Sequence, residues 1–300
     1  MATDYHQEGI EFKYLIVNDM DRKFGLWIST VGYQSIPADS PYPLRQHPSG
    51  YYFNAQKGRV LDEYQLVYIT RGRGLFTSTA TSERQVCRGR LMLLFPGQWH
   101  TYHPYRQSGW DEYYVGFNGP IADGLLRNGF LTDNCQILDV GASEELVTLF
   151  RNAIEVARED KNSSQQLLAG IVMHIIGMVL SLWKNKLFEM SDIDQKIEQA
   201  KIIMNEQVEQ SIDMEELAMR LNISYSWFRK VFKDYTGYAP AKYFQELKLR
   251  RAKQLLVGSS LTVKEIAYRL HYASTEHFLV QFKKHATCTP TEYRQKVRET

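Results

Sequence analysis

At 300 residues the chain has room for two domains of ordinary size, and a composition of 44% hydrophobic and 23% charged residues excludes a collagen repeat, a disordered tail and a disulfide-stapled miniprotein. Its three cysteines, Cys87, Cys135 and Cys288, lie far apart without CxxC or Cys/His spacing, which removes a disulfide framework and a thiolate zinc site and fits a reducing cytoplasm. The net charge of +2 hides a split: 18 basic against 21 acidic side chains in residues 1–192, but 18 against 13 in residues 193–300, so the final third suits an anionic partner.

The first thirty residues are polar and mixed in charge, with no apolar stretch behind a basic start, so no export signal is expected. Those before Phe24 are placed as an arm positioned to close over a pocket. Tyr64–Ile69, rich in aromatic and β-branched residues, reads as a strand; Arg71-Gly72-Arg73-Gly74 reads as a turn, and Leu75-Phe76-Thr77 as the next strand. Arg88-Gly89 opens the apolar run Leu91–Phe95, which Pro96-Gly97 stops, and Tyr113–Phe117 makes a third such strand. Short strands at this spacing predict a small β-barrel or sandwich over roughly residues 20–120.

From Ser143 the period becomes helical, with Leu146, Leu149, Phe150, Ala153, Ile154 and Ala157 on one face. Ser163-Ser164 then offers an N-cap to Leu167–Trp183, which is apolar nearly all round. Interrupted by His174 and Ser181, this run sits at the short limit for crossing ~30 Å of hydrocarbon. A buried helix is the preferred reading. A helix greasy on every side must be covered on every side, so it is the candidate dimer helix.

Residues 193–300 contain an internal repeat at a spacing of 49 to 50. Leu217-Ala218-Met219-Arg220-Leu221-Asn222-Ile223 recurs as Ile266-Ala267-Tyr268-Arg269-Leu270-His271-Tyr272. Phe228, Phe232-Lys233, Pro240 and Tyr243 recur as Phe278, Phe282-Lys283, Pro290 and Tyr293. Each copy reads as a helix-turn-helix: Ala218 and Ala267 allow close helix crossing, and Asn222 and His271 stand where the turn calls for a positive φ. Ser224 is placed as N-cap of the first copy's second helix, with Phe228, Val231 and Phe232 as its buried stripe. Tyr225, Ser226, Arg229, Lys230 and Lys233 face outward, a polar and cationic surface of the kind that enters a major groove. A helix from about Ala241 to Leu256 joins the copies and would hold two recognition helices about one turn, ~34 Å, apart on one side of double-stranded DNA.

These residues carry a family resemblance. Phe232-Lys233-Asp234-Tyr235-Thr236-Gly237-Tyr238-Ala239-Pro240, Ala252-Lys253-Gln254-Leu255-Leu256, Lys264-Glu265-Ile266-Ala267, Phe282-Lys283-Lys284 and Thr289-Pro290-Thr291-Glu292-Tyr293-Arg294 resemble the DNA-binding domain of AraC/XylS-type bacterial transcription regulators over about a hundred residues. The chain departs from that pattern at Lys248, at His271-Tyr272 in place of Gly-Phe, and at Thr287 in place of Gly. Leu279 and Val280 stand where a polar residue and an Arg are usual. Apolar side chains form no hydrogen bonds with bases, so Thr275, Glu276, His277 and Lys283 carry the second copy's contacts, with thymine-methyl contact still open to the apolar pair.

Gly89–His100, with Pro96-Gly97-Gln98-Trp99-His100, resembles the second half of a cupin motif. Metal-dependent cupin enzymes also need a His-x-His pair and a carboxylate on an earlier strand; Tyr64–Ile69 has no histidine, and His100 with His103 is an i,i+3 pair on what reads as a loop. No metal, cofactor or catalytic triad is expected. Gly58–Leu66 and Trp110–Gly119 resemble the family's sugar-responsive members, which implies a carbohydrate pocket using Arg59, Tyr102, Glu112 and Tyr114. Trp110 adds an aromatic face for apolar C–H surface; the competing reading of these tyrosine-rich strands is plain core.

The expected architecture is thus a two-domain α+β chain: a cupin-like ligand-binding barrel with its arm over residues 1–140, a helical dimerisation segment and linker over 141–192, and a tandem helix-turn-helix domain over 193–300. The expected function is a cytoplasmic, homodimeric, ligand-responsive activator of carbohydrate-utilisation genes, whose partners are promoter DNA, a small sugar and RNA polymerase, with no membrane. The alternatives are a carbohydrate-modifying cupin enzyme with an accessory DNA-binding domain, and a DNA binder whose barrel only contacts protein.

Overall fold

Aromatic and β-branched runs separated by glycine turns build the front of the chain in the computed structural model, which describes residues 4–7, 9–42, 55–189 and 193–298. Ten antiparallel strands form there: β1 (Asp4–Gln7), β2 (Ile10–Tyr14), β3 (Trp27–Ile36), β4 (Arg59–Val60), β5 (Tyr64–Ser78), β6 (Arg84–Cys87), β7 (Arg90–Leu94), β8 (Trp99–Pro104), β9 (Trp110–Asn118) and β10 (Ile137–Asp139). Their path is β1-β2-β3-β9-β5-β7-β10, with β6 and β8 on the far half of β5 and β4 on β8. That path does not return to its start, so the expected closed barrel is an open sheet. Residues 4–7 and 10–14, expected as an arm, are strands at one edge.

The expected turn at Arg71–Gly74 is also corrected, because β5 runs through it. Its near half pairs with β7 and β9, its far half with β6 and β8. The glycines allow close strand approach rather than reversal: a Cβ on Gly72, whose φ is +77°, would lie 2.0 Å from the Gly109 carbonyl oxygen. Both halves of β5 thereby contribute to one inner core of Val67, Ile69, Phe76, Val86, Met92, Leu94, Tyr102, Trp110 and Tyr114.

On the other face Tyr64, Leu66 and Tyr68 pack with Val115 and Phe117 beneath helices, as the period of two along a strand requires. Two short helices, α1 (Asp19–Lys23) and α2 (Pro120–Arg127), flank the sheet, and α3 (Glu144–Glu159) and α4 (Ser164–Glu189) follow it. The Ser143 hydroxyl accepts from the Leu146 amide to start α3, which buries Leu146, Phe150, Ala153, Ile154 and Ala157. Helix α4 buries one stripe only: Leu168, Ala169, Val172, Ile175, Ile176 and Val179 join the α3 core, while Leu167, Gly170, Met173, His174, Gly177 and Ser181 face out. Among the described residues α4 is the one helix long and apolar enough to cross a membrane, by length and composition.

The Gln165 side chain on α4 pairs with both backbone groups of Ile28, accepting from its amide at 3.0 Å and donating to its carbonyl at 2.9 Å. These groups lie beside the register shift between Ile28 and Thr30 that interrupts the β3–β9 ladder. Gln165→Leu leaves two buried backbone groups unpaired, at about 1–3 kcal/mol each. Urea unfolding of the front unit should therefore show a loss of about 2–6 kcal/mol; an unchanged midpoint would mean that water replaces the amide.

The chain divides into two units, Met1–Leu187 and Phe188–Thr300. The second holds α5 (Ile193–Glu206), α6 (Met214–Arg220), α7 (Tyr225–Thr236), α8 (Pro240–Gly258), α9 (Val263–Arg269), α10 (Thr275–Ala286) and α11 (Pro290–Arg298). Two cores repeat the sequence repeat. Phe228, Val231 and Phe232 pack with Leu217, Ala218 and α5; Phe278 and Phe282 pack with Ile266, Ala267 and Leu270. The joining helix α8 serves both, giving Phe244 and Leu247 to the first and Leu249, Ala252, Leu255 and Leu256 to the second. Glu209 ties them again, accepting from Arg251 at 2.7 Å and Arg269 at 2.6 Å. Asn222 and His271 both adopt positive φ, +53° and +51°, as their turn positions predict.

Candidate ligand pocket and nucleic-acid interface

Alternation along β9 points Trp110, Glu112 and Tyr114 into the inner core and Tyr113, Val115 and Phe117 away from it. On β8 the same rule buries His100 and Tyr102 and leaves Thr101 and His103 on the opposite face. Arg59 on β4 sits directly across from His100. All five pocket residues expected from sequence therefore gather on one face. The Arg59 guanidinium donates to the Tyr102 hydroxyl at 2.9 Å and lies 5.7 Å from that ring's centroid, and the Tyr102 and Trp110 rings are 6.0 Å apart. Gly32, paired with Tyr114, makes room for it: a Cβ there would stand 2.4 Å from the Tyr114 hydroxyl.

Burial controls the charges. Glu112 is 3% exposed, and desolvation pushes its carboxyl up to about 8, with Arg59 pulling the other way. Burial, then the neighbouring Arg59 cation, hold His100 down at about 4, so it is neutral. The Tyr102 hydroxyl is pushed up to about 12, chiefly by burial. Two buried atoms, Glu112 Oε2 and Trp110 Nε1, have no hydrogen-bond partner among the described residues. Burial raises the Tyr114 hydroxyl well above the usual tyrosine range, with the nearby Tyr14 and Glu112 adding to the rise and Gln34 opposing it.

Three further groups beside the candidate pocket, Gln65, Glu63 and Tyr42, are not among those expected from sequence. Gln65 accepts from Arg59 at 3.5 Å and donates at 3.4 Å to Glu63, which also accepts from Thr30 at 3.1 Å and from Ser29. Tyr42 meets the Trp110 ring edge-on at 6.3 Å, and it also lines a separate cavity of about 490 Å³ with Ile36, Gln56 and His103, which none of the five expected residues line. For His100 the sequence leaves two readings, a metal pair with His103 or a surface or pocket role, and the side chain is buried on the inner face. His100 and His103 are on a strand, not a loop, and on opposite faces, so they cannot share an ion. Period-two counting from Tyr102 would have placed His100 inside; nothing in the loop around Tyr42 marks it.

In the tail, Ser226, Arg229, Lys230 and Lys233 are exposed along α7, while Tyr225 is half-buried against the first core. The expected cap at Ser224 occupies the N-cap position, yet its side chain makes no capping bond. Trp227, which is not among the expected contacts, is 48% exposed, and the Lys230 ammonium lies 5.8 Å from its ring centroid. Along α10, Glu276, His277 and Lys283 are exposed and Thr275 is half-buried. The Glu276 carboxyl is held low by its own backbone amide and Ser274, which makes it part of the helix N-terminus. The left-handed C-cap that Gly237 fills after α7 is filled by Thr287 after α10, at φ +60°.

Comparison with known proteins assigns both halves. The family described as AraC-like ligand binding domain matches residues 40–176, and a helix-turn-helix domain family matches residues 217–296. The chain is similar to the lactose operon transcription activator of Staphylococcus xylosus, 27% identical over 244 residues, 78% of this chain and 85% of that one. It is also similar to the MmsAB operon regulatory protein of Pseudomonas aeruginosa, 27% identical over 257 residues, 83% of this chain and 82% of that one. A third relative, the raffinose operon transcriptional regulatory protein RafR of Pediococcus pentosaceus, is 23% identical over 243 residues, 79% of this chain and 87% of that one. These relatives are regulators rather than enzymes, and they match this chain through sheet domain and helical domain alike. With a ligand-binding sheet domain in front and paired helix-turn-helix units behind, the chain belongs to the AraC-type transcription regulators, which bind promoter DNA and a small effector.

Proposed function

We propose that this regulator governs carbohydrate-utilisation genes as an activator, binding a small sugar among Arg59, Tyr102, Trp110, Glu112 and Tyr114. The observation that carries this reading is the pair of unpartnered buried atoms, Glu112 Oε2 and Trp110 Nε1. An acceptor or donor left alone in a dry site costs about 1–3 kcal/mol, and a ligand bearing hydroxyl groups supplies both partners while its C–H face covers the Trp110 and Tyr102 rings. The operon names of the lactose and raffinose regulators point the same way. DNA is held by Tyr225, Ser226, Arg229, Lys230 and Lys233 in the first unit and by Thr275, Glu276, His277 and Lys283 in the second.

The protein works in the cytoplasm as a homodimer in contact with RNA polymerase. The outward stripe of α4, with Leu167 56% and Met173 37% exposed, is the surface offered to the second copy. Residues 1–140 form the ligand domain with its N-terminal segment, 141–192 the dimerisation segment, and 193–300 the DNA-binding domain. A ligand changes the output only by favouring one dimer arrangement over another.

A thermal-shift screen against common mono- and oligosaccharides tests the pocket. One sugar at a hundred times its Kd should add about 2.7 kcal/mol to the stability of the native front unit. No shift with any sugar, alongside intact DNA binding, would leave the sheet domain as a protein-contact module instead.

A further inference from the structure

The two recognition helices differ where they should touch bases. In register with the repeat, Arg229 and Lys230 of α7 correspond to Leu279 and Val280 of α10. Leu279 is half-buried, but Val280 is 64% exposed. It lies on one stripe with His277 a turn before it and Lys283 and Lys284 a turn after, all exposed. An imidazole on one side and two lysines on the other thus flank an apolar tip on the outer face of a helix whose inner face, Phe278 and Phe282, is fully buried. That arrangement suits a duplex: the lysines take phosphates, and the tip meets whatever apolar surface the major groove presents. The groove presents one such group, the C5-methyl of thymine.

We infer that Val280 is a specificity-determining residue that reads a thymine methyl in the half-site entered by α10. The inference rests on the proposed placing of both recognition helices in major grooves. It makes the operator chemically uneven: one half is read through hydrogen bonds from Arg229, with Lys230 held to the phosphates, the other through an apolar contact that discriminates thymine from the other bases.

The test uses the full-length protein on a duplex obtained from a random-oligonucleotide selection. The half protected by α10 is the half whose hydroxyl-radical footprint weakens in Lys283→Ala/Lys284→Ala. Each thymine there is replaced singly by deoxyuridine, which removes only the methyl. Wild type should lose about three- to fivefold in affinity at one or two positions, the worth of one buried methyl. Val280→Ala, a surface change that a helix tolerates, should lose a similar factor on the thymine duplex and be indifferent to deoxyuridine at those positions.

Wild-type indifference to every such replacement would overturn the inference, as would a Val280→Ala protein that keeps its full sensitivity. If Val280→Ala lowers promoter activation without changing affinity for either duplex, the residue touches a protein partner and the inference fails. A footprint confined to the half gripped by α7 sinks this inference alone; no footprint on any duplex sinks the DNA assignment of both helices with it.

Discussion

Glu112→Ala abolishes the ligand response and leaves ligand-free DNA affinity unchanged. The carboxyl lies inside the sheet domain, among Arg59, Tyr42, Tyr102 and Tyr114, whereas every proposed DNA contact lies in the other unit. Leaving a buried group without its hydrogen-bond partner costs about 1–3 kcal/mol, so losing the contact at Glu112 Oε2 costs roughly 5- to 150-fold in ligand affinity. Calorimetry on the variant with the sugar found by thermal shift should show no heat of binding at wild-type Kd, and a normal response would remove Glu112 from the pocket. Glu112→Gln tests the same burial without ligand. Between pH 4 and 6.5 the unfolded chain binds more protons at His100, whose folded value is about 4, so stability rises with pH. At Glu112, with a folded value of about 8, the folded chain binds more protons from the ordinary carboxyl range upward, so stability falls with pH. Up to pH 6.5 the two trends oppose each other, with Glu63, also raised by burial, adding to the fall at the acid end. Above 6.5 Glu112 dominates, opposed by the end of the His100 titration: wild type should lose about 1–2 kcal/mol between pH 6.5 and 8, and Glu112→Gln should show no fall over that window. An equal slope in both would show that the Glu112 carboxyl is solvated.

Where the chain's pattern is local, sequence and structure agree closely. The stripe Phe228, Val231 and Phe232 is buried as the helical period requires, and the joining helix predicted from about Ala241 to Leu256 spans Pro240–Gly258. The turns at Asn222 and His271 could be read because few side chains tolerate positive φ and the repeat shows the same place twice. The front domain was harder, because its decisive contacts are non-local. Gly72 and Gly74 look like a turn in sequence; only the approach of Gly109 and the His103 carbonyl shows that they let strands pass close together. Strand β2 alternates Ile10, Phe12 and Tyr14 with Glu11 and Lys13 and pairs with β3, whereas β1 and β10 are too short to show a period and form against the open edges of β2 and β7. The candidate pocket is half legible: the family resemblance implies Arg59, Tyr102, Glu112 and Tyr114, and the period of β9 agrees by turning Glu112 and Tyr114 inward with Trp110, whereas Gln65, Glu63 and Tyr42 join them through side-chain contacts that no spacing encodes. The helix Leu167–Trp183 is apolar on both faces in sequence, yet the structure spends only one of them on the sheet. Composition records how much apolar surface a helix carries and is silent on which partner covers it.

Arg229→Ala and Lys230→Ala should weaken DNA binding in two distinguishable ways, although the residues are adjacent. Both are exposed on α7, held by a buried stripe that fixes the helix's rotation, so either can be removed without disturbing the core. Arginine presents a planar fork that matches the two acceptors of guanine, and its loss costs about 1–3 kcal/mol at the base pair it reads. The Arg229→Ala protein should therefore bind its selected operator roughly 5- to 150-fold more weakly and relax its preference at a few positions, while its affinity for random duplex is nearly unchanged. Lys230 presents a point charge steered by the Trp227 ring, suited to a phosphate. Its loss should weaken all duplexes alike and lower the slope of log affinity against log salt by about 0.9, the release of one phosphate's counterion. Titrations of both variants on operator and random duplex at several salt concentrations separate these outcomes. If the two variants exchange signatures, Lys230 reads the base and Arg229 the backbone, and the helix sits rotated in the groove; if neither changes affinity, footprint or slope, α7 does not enter it.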